Sequence, residues 1–572
     1  MAMGTTFRLG TRILPKLAWA RESALCWFLI LSIFVLITAA YRVGIARGLD
    51  GYVAPQGAGP FLHAVCAVAT KWLTGIGDYV CLEEVQDIRR TGAGIMHDLG
   101  LTEDGRSWTY LFDREFLDRA LKSLFARPHW TVPATTSGPP YFGIQGIGWG
   151  MDEGHYNFVN LAFHIFGPAI ESFYRAYWLL YVASSVFFVL AYRRNVAPLV
   201  LLAVAAMVQY MIFSTDILWF TDGTNPATSP SNPRFLSSLC VIPALHFLCA
   251  AWIKERLEWL DVLLLGLQGF ILSVALLQRM TVLWVVSAAV LLATLAWMFC
   301  RRSPKYRTQG KRHIAIVAAL LGIVVLTNVY TKAVTHPGSA ANGDTAGHTL
   351  WWPLFYNLQF HPDWETRYAP DYGNRTGDDL VGFAARQYLA NHREDWPRLN
   401  PEGRDAFELA LSQETMEYLC RRIFFEFITR DPYFALEVWT RFNFRSVEYY
   451  TSNFVQSFLG WARTGFLAVL VGFGFVFGLA ASTRSIRELV AFVPLAAFLS
   501  VISLAPNWVI VIIPTSLTDY FVLLAIFLSV AFVAFGVGGG ILTRMAGSVI
   551  LAGRSRASAS LAPDELPRET MT

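Results

Sequence analysis

Charge is what this chain has least of. Only 15% of its 572 residues are Asp, Glu, Lys or Arg, against about 25% in soluble globular domains. So few charges cannot cover the surface of a water-soluble protein of this length, and that class is excluded. Basic residues exceed acidic ones by 46 to 42. That margin makes no basic stripe, so nucleic acid is not an expected partner. Cysteine is scarce at seven residues, too few for a disulfide scaffold. No Gly-x-x-x-x-Gly-Lys run is present, which argues against ATP hydrolysis by this chain. A Gly-x-Ser-x-Gly nucleophile elbow is missing too.

What fills the chain is apolar. Hydrophobic residues make up 54% and aromatic residues 15%, with 19 Trp and 42 Phe. The apolar segments run from Ala24 to Tyr41, Phe173 to Tyr192, Ala197 to Phe213, Leu236 to Ile253, Val262 to Leu277, Val282 to Cys300, Ile314 to Tyr330, Gly465 to Ala481, Leu489 to Leu504 and Tyr520 to Leu542. Each approaches the roughly 20 residues that cross a bilayer as a helix. The expected fold is an all-α polytopic membrane protein of about ten transmembrane helices, with two large, mainly helical extracytoplasmic loops.

The basic residues orient it. Arg8, Arg12, Lys16 and Arg21 precede the first segment, Arg193 and Arg194 follow the second, and Lys254 and Arg256 follow the fourth. Arg301 to Arg312, Arg484, Arg487 and Arg544 to Arg568 continue the alternation. Positive loops stay inside, so both termini of this multi-pass membrane protein are expected in the cytoplasm. The division is a cytoplasmic N-terminus (1–23), a retained first helix (24–41) and an outer loop (42–172). A six-helix region (173–330), an outer helical domain (331–461), a three-helix region (462–543) and a disordered cytoplasmic tail (544–572) follow. The short inner loops leave no room for a cytoplasmic domain that would use a nucleotide sugar.

In the first outer loop, Phe61 to Leu82 reads as an interfacial helix and Trp108 to Ala126 as an amphipathic helix. A Pro- and Gly-rich loop leads to a second amphipathic helix, which starts near Asp152 and stops at Gly167-Pro168. Cys66 and Cys81 face outward and are available to pair in an oxidising compartment, whereas Cys26, Cys240, Cys249 and Cys300 fall in or beside membrane segments. In the second outer loop, helices are expected over Leu380 to Asn391, Glu402 to Thr429 and Pro432 to Tyr449.

The adjacent carboxylates Asp152 and Glu153 stand in Gly150-Met151-Asp152-Glu153-Gly154-His155-Tyr156, shortly before a membrane segment and on its outer side. One reading makes them first-turn residues favoured by the helix dipole. The other makes them catalytic, because a carboxylate beside the membrane can take a proton from a substrate hydroxyl. Met151-Asp152-Glu153-Gly154-His155-Tyr156 resembles the Asp-Glu motif of the GT-C membrane glycosyltransferases. Gly167 with Ser172-Phe173-Tyr174-Arg175 adds a weaker similarity. The resemblance implies a sugar donor on a polyprenyl phosphate, with Asp152 as base and Glu153 as orienting acid or metal ligand. The family places its motif soon after the first membrane helix; here residues 42–151 intervene.

A departing phosphate needs cationic stabilisation. Arg279, in the short outer turn Gln278-Arg279-Met280-Thr281, is the first candidate, and Arg234 in Asn232-Pro233-Arg234-Phe235 the second. Snorkelling toward lipid headgroups is the competing role for both. His155, His348, Trp351, Trp352 and Tyr356 are candidate acceptor-binding residues, since aromatic faces pack on sugar rings. Trp also belongs to interfacial belts, and a structural histidine is the competing reading of His348. No cofactor is assigned, and a divalent metal ion stays open because no His/Asp spacing marks a site. The expected partners are the lipid bilayer, a polyprenyl-phosphate-linked sugar and a glycan or lipid acceptor. The leading function is a membrane glycosyltransferase on the outer face. A transporter or flippase for a lipid-linked glycan and a non-catalytic assembly component are the alternatives.

Overall fold

The computed structural model describes residues 3–51, 55–75, 80–82, 118, 121–122, 125–126, 144–146, 153–214, 233–254, 256–279, 281–301, 310–334, 351–368, 372, 375, 377–392, 394, 397, 405–407, 411, 413–442, 481, 483–510, 520–536, 538, 545 and 548. Almost all of them are helical. The exceptions are turns and one antiparallel pair of short strands, β1 (Val80–Leu82) and β2 (Ile144–Gly146), in register Cys81 to Gln145.

Among the described residues, six helices are long and apolar enough to cross a membrane. They are the apolar part of α1 (Met3–Ala46), α4 (Glu171–Tyr192), α5 (Val196–Ser214), α7 (Trp259–Gln278), most of α9 (Gly310–Val334) and much of α14 (Thr483–Ile510). Of the other four expected segments, three contain shorter apolar helical stretches: α6 (Val241–Trp252), the Val282–Met298 part of α8 (Val282–Arg301) and α15 (Tyr520–Gly536). Gly465 to Ala481 lies outside the described residues apart from Ala481.

The helices are two-faced, but both faces are apolar. On α1, Cys26, Leu29, Ile33, Ile37 and Ala40 recur at helical spacing and are buried, while Trp27, Phe28, Leu31 and Val35 are exposed. On α7, Leu264, Leu265, Ile271 and Leu272 point inward and Val262, Leu263 and Phe270 outward. An exposed apolar face on a helix of this length suits lipid rather than water. In contrast, α5 is buried on nearly every side, packed by α1, α4, α6 and α14, so it forms the centre of the bundle.

Polar groups inside the bundle find one another. Gln209 Nε2 donates to the Tyr177 hydroxyl at 2.7 Å, and that hydroxyl meets Ser238 Oγ at 3.1 Å. Buried polar atoms without partners are costly in an apolar medium, and these pairings offset that cost.

Helix α2 (Pro55–Thr74) corrects the interfacial reading of Phe61 to Leu82. Ala64 through Thr70 are all buried, so the helix has no wet face over that stretch. Its alanines allow close approach, and α3 (Glu153–Phe166) and β1 pack against it. The expected Trp108 to Ala126 helix lies mostly outside the described residues. Within it, Leu121 is buried and Phe125 meets Trp72 and Phe163 edge-on.

A second hydrophobic core forms a separate cluster. It contains α10 (Trp351–Asn357), α11 (Gly377–Asn391), α12 (Gln413–Arg430) and α13 (Pro432–Glu437). The expected Glu402 to Thr429 helix is shorter than read: residues 405–407 form a turn and α12 begins at Gln413. Gly403 inside the expected first turn costs helix propensity. The Pro432 to Tyr449 helix gives way to a π-helical turn at Val438–Phe442. Its start is well defined, because Asp431 Oδ1 accepts from Phe434 N at 3.2 Å and Pro432 takes the first helical position.

Candidate functional site

The site is set by how α7 lies on α4. At one end, Lys254 Nζ bridges Asp261 Oδ1 at 2.8 Å and the Ala191 carbonyl at 3.0 Å. Farther along, Ser184 and Gln268 bind each other. Residue number rises along α7 while it falls along α4, so the two helices run antiparallel. Ten residues beyond Gln268 is Gln278 and ten before Ser184 is Tyr174, a further climb of about 15 Å. The end of α7 therefore stands level with the start of α4, where α3 turns into α4 through Gly167.

That corner is sharp for physical reasons. Gly167 has φ +85°, a left-handed conformation that glycine adopts without strain. Its N–H bonds the Phe163 carbonyl at 2.9 Å. Ser172 Oγ donates back to the Gly167 carbonyl at 2.7 Å, and Asp118 Oδ1 accepts from Ile170 N at 3.0 Å. Helix α3 consequently folds back across the bundle and packs on α2, α4 and α7.

Glu153 is the first residue of α3, and His155 follows in its first turn. The His155 ring is fully buried. The side chain of Gln278 lies near it, and neither ring nitrogen has a hydrogen-bond partner among the described residues. Burial pushes the imidazole down from 6.5 to about 4, with Gln278 opposing the shift. His155 is therefore a neutral ring at neutral pH.

Next to Gln278 the chain leaves α7. Arg279 adopts an extended backbone (φ −160°, ψ 123°), and its N–H closes the helix on the Ala275 carbonyl at 3.3 Å. Its carbonyl accepts from Val282 N at 3.0 Å, and the Thr281 carbonyl accepts from Trp284 N at 3.1 Å, which starts α8. Arg279 Nε and Thr281 Oγ1 are buried and have no hydrogen-bond partner among the described residues. Arg279 also has no carboxylate partner among them. A guanidinium, a hydroxyl and the N-terminus of a 20-residue helix thus gather at one corner. Helix N-termini favour anions, because their first N–H groups lack intrahelical partners and the dipole is positive there.

The other candidates fall in three places. Arg234 lies in a short helical turn, Pro233–Leu236, that touches α7 and continues into a 3-10 turn packed on α7. Its side chain is outside the described residues, as are Asp152, His348 and the side chain of Glu153. Trp351, Trp352 and Tyr356 are on α10, in the second core. Glu417 accepts from Trp351 N at 2.9 Å and Trp352 N at 3.4 Å, which caps α10 with a carboxylate. The Trp351 ring packs on Phe424 and Phe425, with Arg421 at 5.7 Å. His155 and Arg279 are thus drawn to the α7–α8 corner, and the tryptophans belong to the other cluster.

Gln278 and Thr281 were not singled out from the sequence as site residues. Both flank Arg279 in the same polar turn, which is the signal that was there to read. Among the described residues, no group of three His, Cys, Asp or Glu side chains is arranged to hold a metal ion. No protein-family model, no curated protein and no solved structure matches this chain.

Proposed function

We propose that the chain is an integral-membrane glycosyltransferase of the GT-C type. It moves a sugar from a polyprenyl-phosphate carrier to a glycan, lipid or protein acceptor on the outer face of a bacterial inner membrane. This reading takes about ten spans with both termini inside.

The observation that carries it is the meeting of His155 with Gln278. It joins the turn that begins at Glu153 to the turn that holds Arg279. The backbone turn that opens α3 and the cationic turn after α7, far apart in sequence, thereby lie at one corner, which supports a reading that needs an acid and a cation near one phosphate. In the proposed step, Asp152 takes the proton of an acceptor hydroxyl. The hydroxyl oxygen attacks the anomeric carbon, the bond from that carbon to the phosphate oxygen breaks, and the phosphate leaves with the electron pair. Arg279, the Thr281 hydroxyl and the α8 N-terminus stabilise the departing charge. The neutral His155 lines the corner without adding charge.

The test is complementation of a deletion strain with wild type, Asp152→Asn and Arg279→Gln at matched protein levels. Surface glycans and polyprenyl-linked lipids are read by mass spectrometry. Both variants are expected to lose the transferred sugar and accumulate its lipid-linked donor. Full rescue by both would remove the reading and favour a transport or assembly role.

A further inference from the structure

The second core holds a cavity of about 350 Å³, bounded by α11, α12 and the turn around Tyr368. That volume lies in the range of small-ligand sites. Three properties of its wall define a ligand. Aromatic surface comes first: Tyr372 borders the cavity, and its ring is backed by Trp364 at 5.7 Å and nearly parallel. Tyrosine faces pack on the apolar faces of sugar rings while their hydroxyls stay polar.

A buried acceptor comes second. Gln387 Oε1 is shielded from solvent and accepts no hydrogen bond among the described residues. An amide oxygen on a cavity wall in that state calls for a donor from the occupant, and hydroxyl groups supply one.

Charge comes third. Glu426 is already engaged: the Tyr388 hydroxyl donates to its Oε1 at 2.8 Å, and His392 Nε2 stands 3.7 Å from the same oxygen. The His392 ring stacks on Tyr388 at 3.8 Å, and its Nδ1 donates to the Tyr388 carbonyl at 2.9 Å, so the whole group is held together. Arg430 also borders the cavity and is exposed, with no ion pair or side-chain hydrogen bond among the described residues. Its neighbour Asp431 is taken by Arg367 at 3.3 Å and the Tyr368 hydroxyl at 3.0 Å. The cavity therefore presents an uncommitted guanidinium beside a committed carboxylate. A guanidinium reads a carboxylate through two parallel hydrogen bonds.

We infer that this cavity binds an acidic saccharide, with Arg430 on the sugar carboxylate, Gln387 on a hydroxyl and Tyr372 against the ring. Treating that saccharide as acceptor-side glycan rests on the transferase reading; the binding itself does not.

The experiment uses the full chain in lipid nanodiscs and titrates an oligoglucuronate tetrasaccharide against its carboxyl-reduced counterpart. Wild type is expected to prefer the acidic form at least tenfold. Arg430→Gln, a change at an exposed position, is expected to erase the preference. Gln387→Leu is expected to weaken both forms about tenfold, the equivalent of one well-made hydrogen bond. Arg279→Gln is expected to bind like wild type. No binding by wild type, equal binding of the two forms, or a preference retained in Arg430→Gln would each overturn the inference. Uronate binding in a protein whose Arg279→Gln and Asp152→Asn variants complement fully would sink the transferase reading alone. Transfer that depends on both residues, without uronate binding, would sink this inference alone.

Discussion

Ser184 and Gln268 bind each other twice across two buried helices. Ser184 Oγ donates to Gln268 Oε1 at 2.6 Å, and Gln268 Nε2 donates to the Ser184 carbonyl at 2.8 Å. Both residues are fully enclosed. The pair sets the register of α7 on α4, and that register carries Arg279 to the start of α4. Gln268→Leu removes both bonds and leaves the serine hydroxyl without its partner. The expected loss is about 1–2 kcal/mol, at the upper end of what interhelical bonds contribute in membranes. Thermal unfolding in detergent should show a lower Tm for Gln268→Leu and partial recovery in Ser184→Ala/Gln268→Leu. A Gln268→Leu protein as stable as wild type would mean that apolar packing alone holds the register.

Gly44 and Tyr174 form a second close approach. The Tyr174 hydroxyl donates to the Tyr41 carbonyl at 2.8 Å, and a methyl group added at Gly44 would collide with that hydroxyl and with its ring carbon. Gly44→Ala is expected to destabilise by about 1–3 kcal/mol through overpacking. Tyr174→Phe removes the colliding oxygen, so Gly44→Ala/Tyr174→Phe should be more stable than Gly44→Ala. If the double variant is the weaker of the two, the backbone rather than the hydroxyl sets the requirement for glycine.

His155 makes stability depend on pH. Desolvation holds its imidazole down to about 4, below its ordinary 6.5. The unfolded chain takes up this proton below about 6.5, and the folded chain only near 4. The contribution is therefore fully present above 6.5 and is lost as pH falls toward 4, on the order of 3 kcal/mol in total. Tm followed from pH 7.5 to 4.5 should fall more steeply for wild type than for His155→Leu. Parallel curves would place the ring in contact with solvent.

Cys66 is disulfide-bonded, whereas Cys26, Cys240, Cys249 and Cys420 are free thiols. Cys81 lies on β1, the strand packed against α2, which makes it the expected partner. Non-reducing peptide mapping of protein from native membranes should recover a Cys66–Cys81 peptide. A bridge closing a loop of that length contributes about 3 kcal/mol in the chain-entropy view, so Cys66→Ser should lower Tm. The bond also supports an oxidising compartment for this side. Alkylation of both thiols in intact membranes would argue against it.

The long apolar helices were legible because hydropathy is carried by each segment alone, whichever neighbour it meets. Gly167-Pro168 likewise announced the end of α3, since a left-handed glycine and a proline stop a helix locally. Helix α2 was harder to read. Lys71 and Gly75 interrupt its hydropathy, and only the closeness of α3 and β1 buries Ala64 to Thr70. Arg279 stood out as a lone cation in a short turn. Gln278 and Thr281 did not, because polar residues at helix ends are ordinary until something folds over them. The cavity of the second core was hidden for a related reason. Gln387, Glu426 and Arg430 are unremarkable on their own helices, and their meaning comes from facing one space.

The sequence by itself determined that this chain is helical and at home beside lipid, because composition and 3.6-residue periodicity act over a few turns. It also marked Asp152, Glu153 and Arg279 as charges set beside apolar segments. Tertiary structure alone decided that the first turn of α3 meets the end of α7. His155 reaches Gln278 because Gly167 turns α3 back and the Ser184–Gln268 pair sets α7 against α4. Such a meeting depends on the relative position of elements more than a hundred residues apart, and packing, which no local pattern encodes, is what sets it.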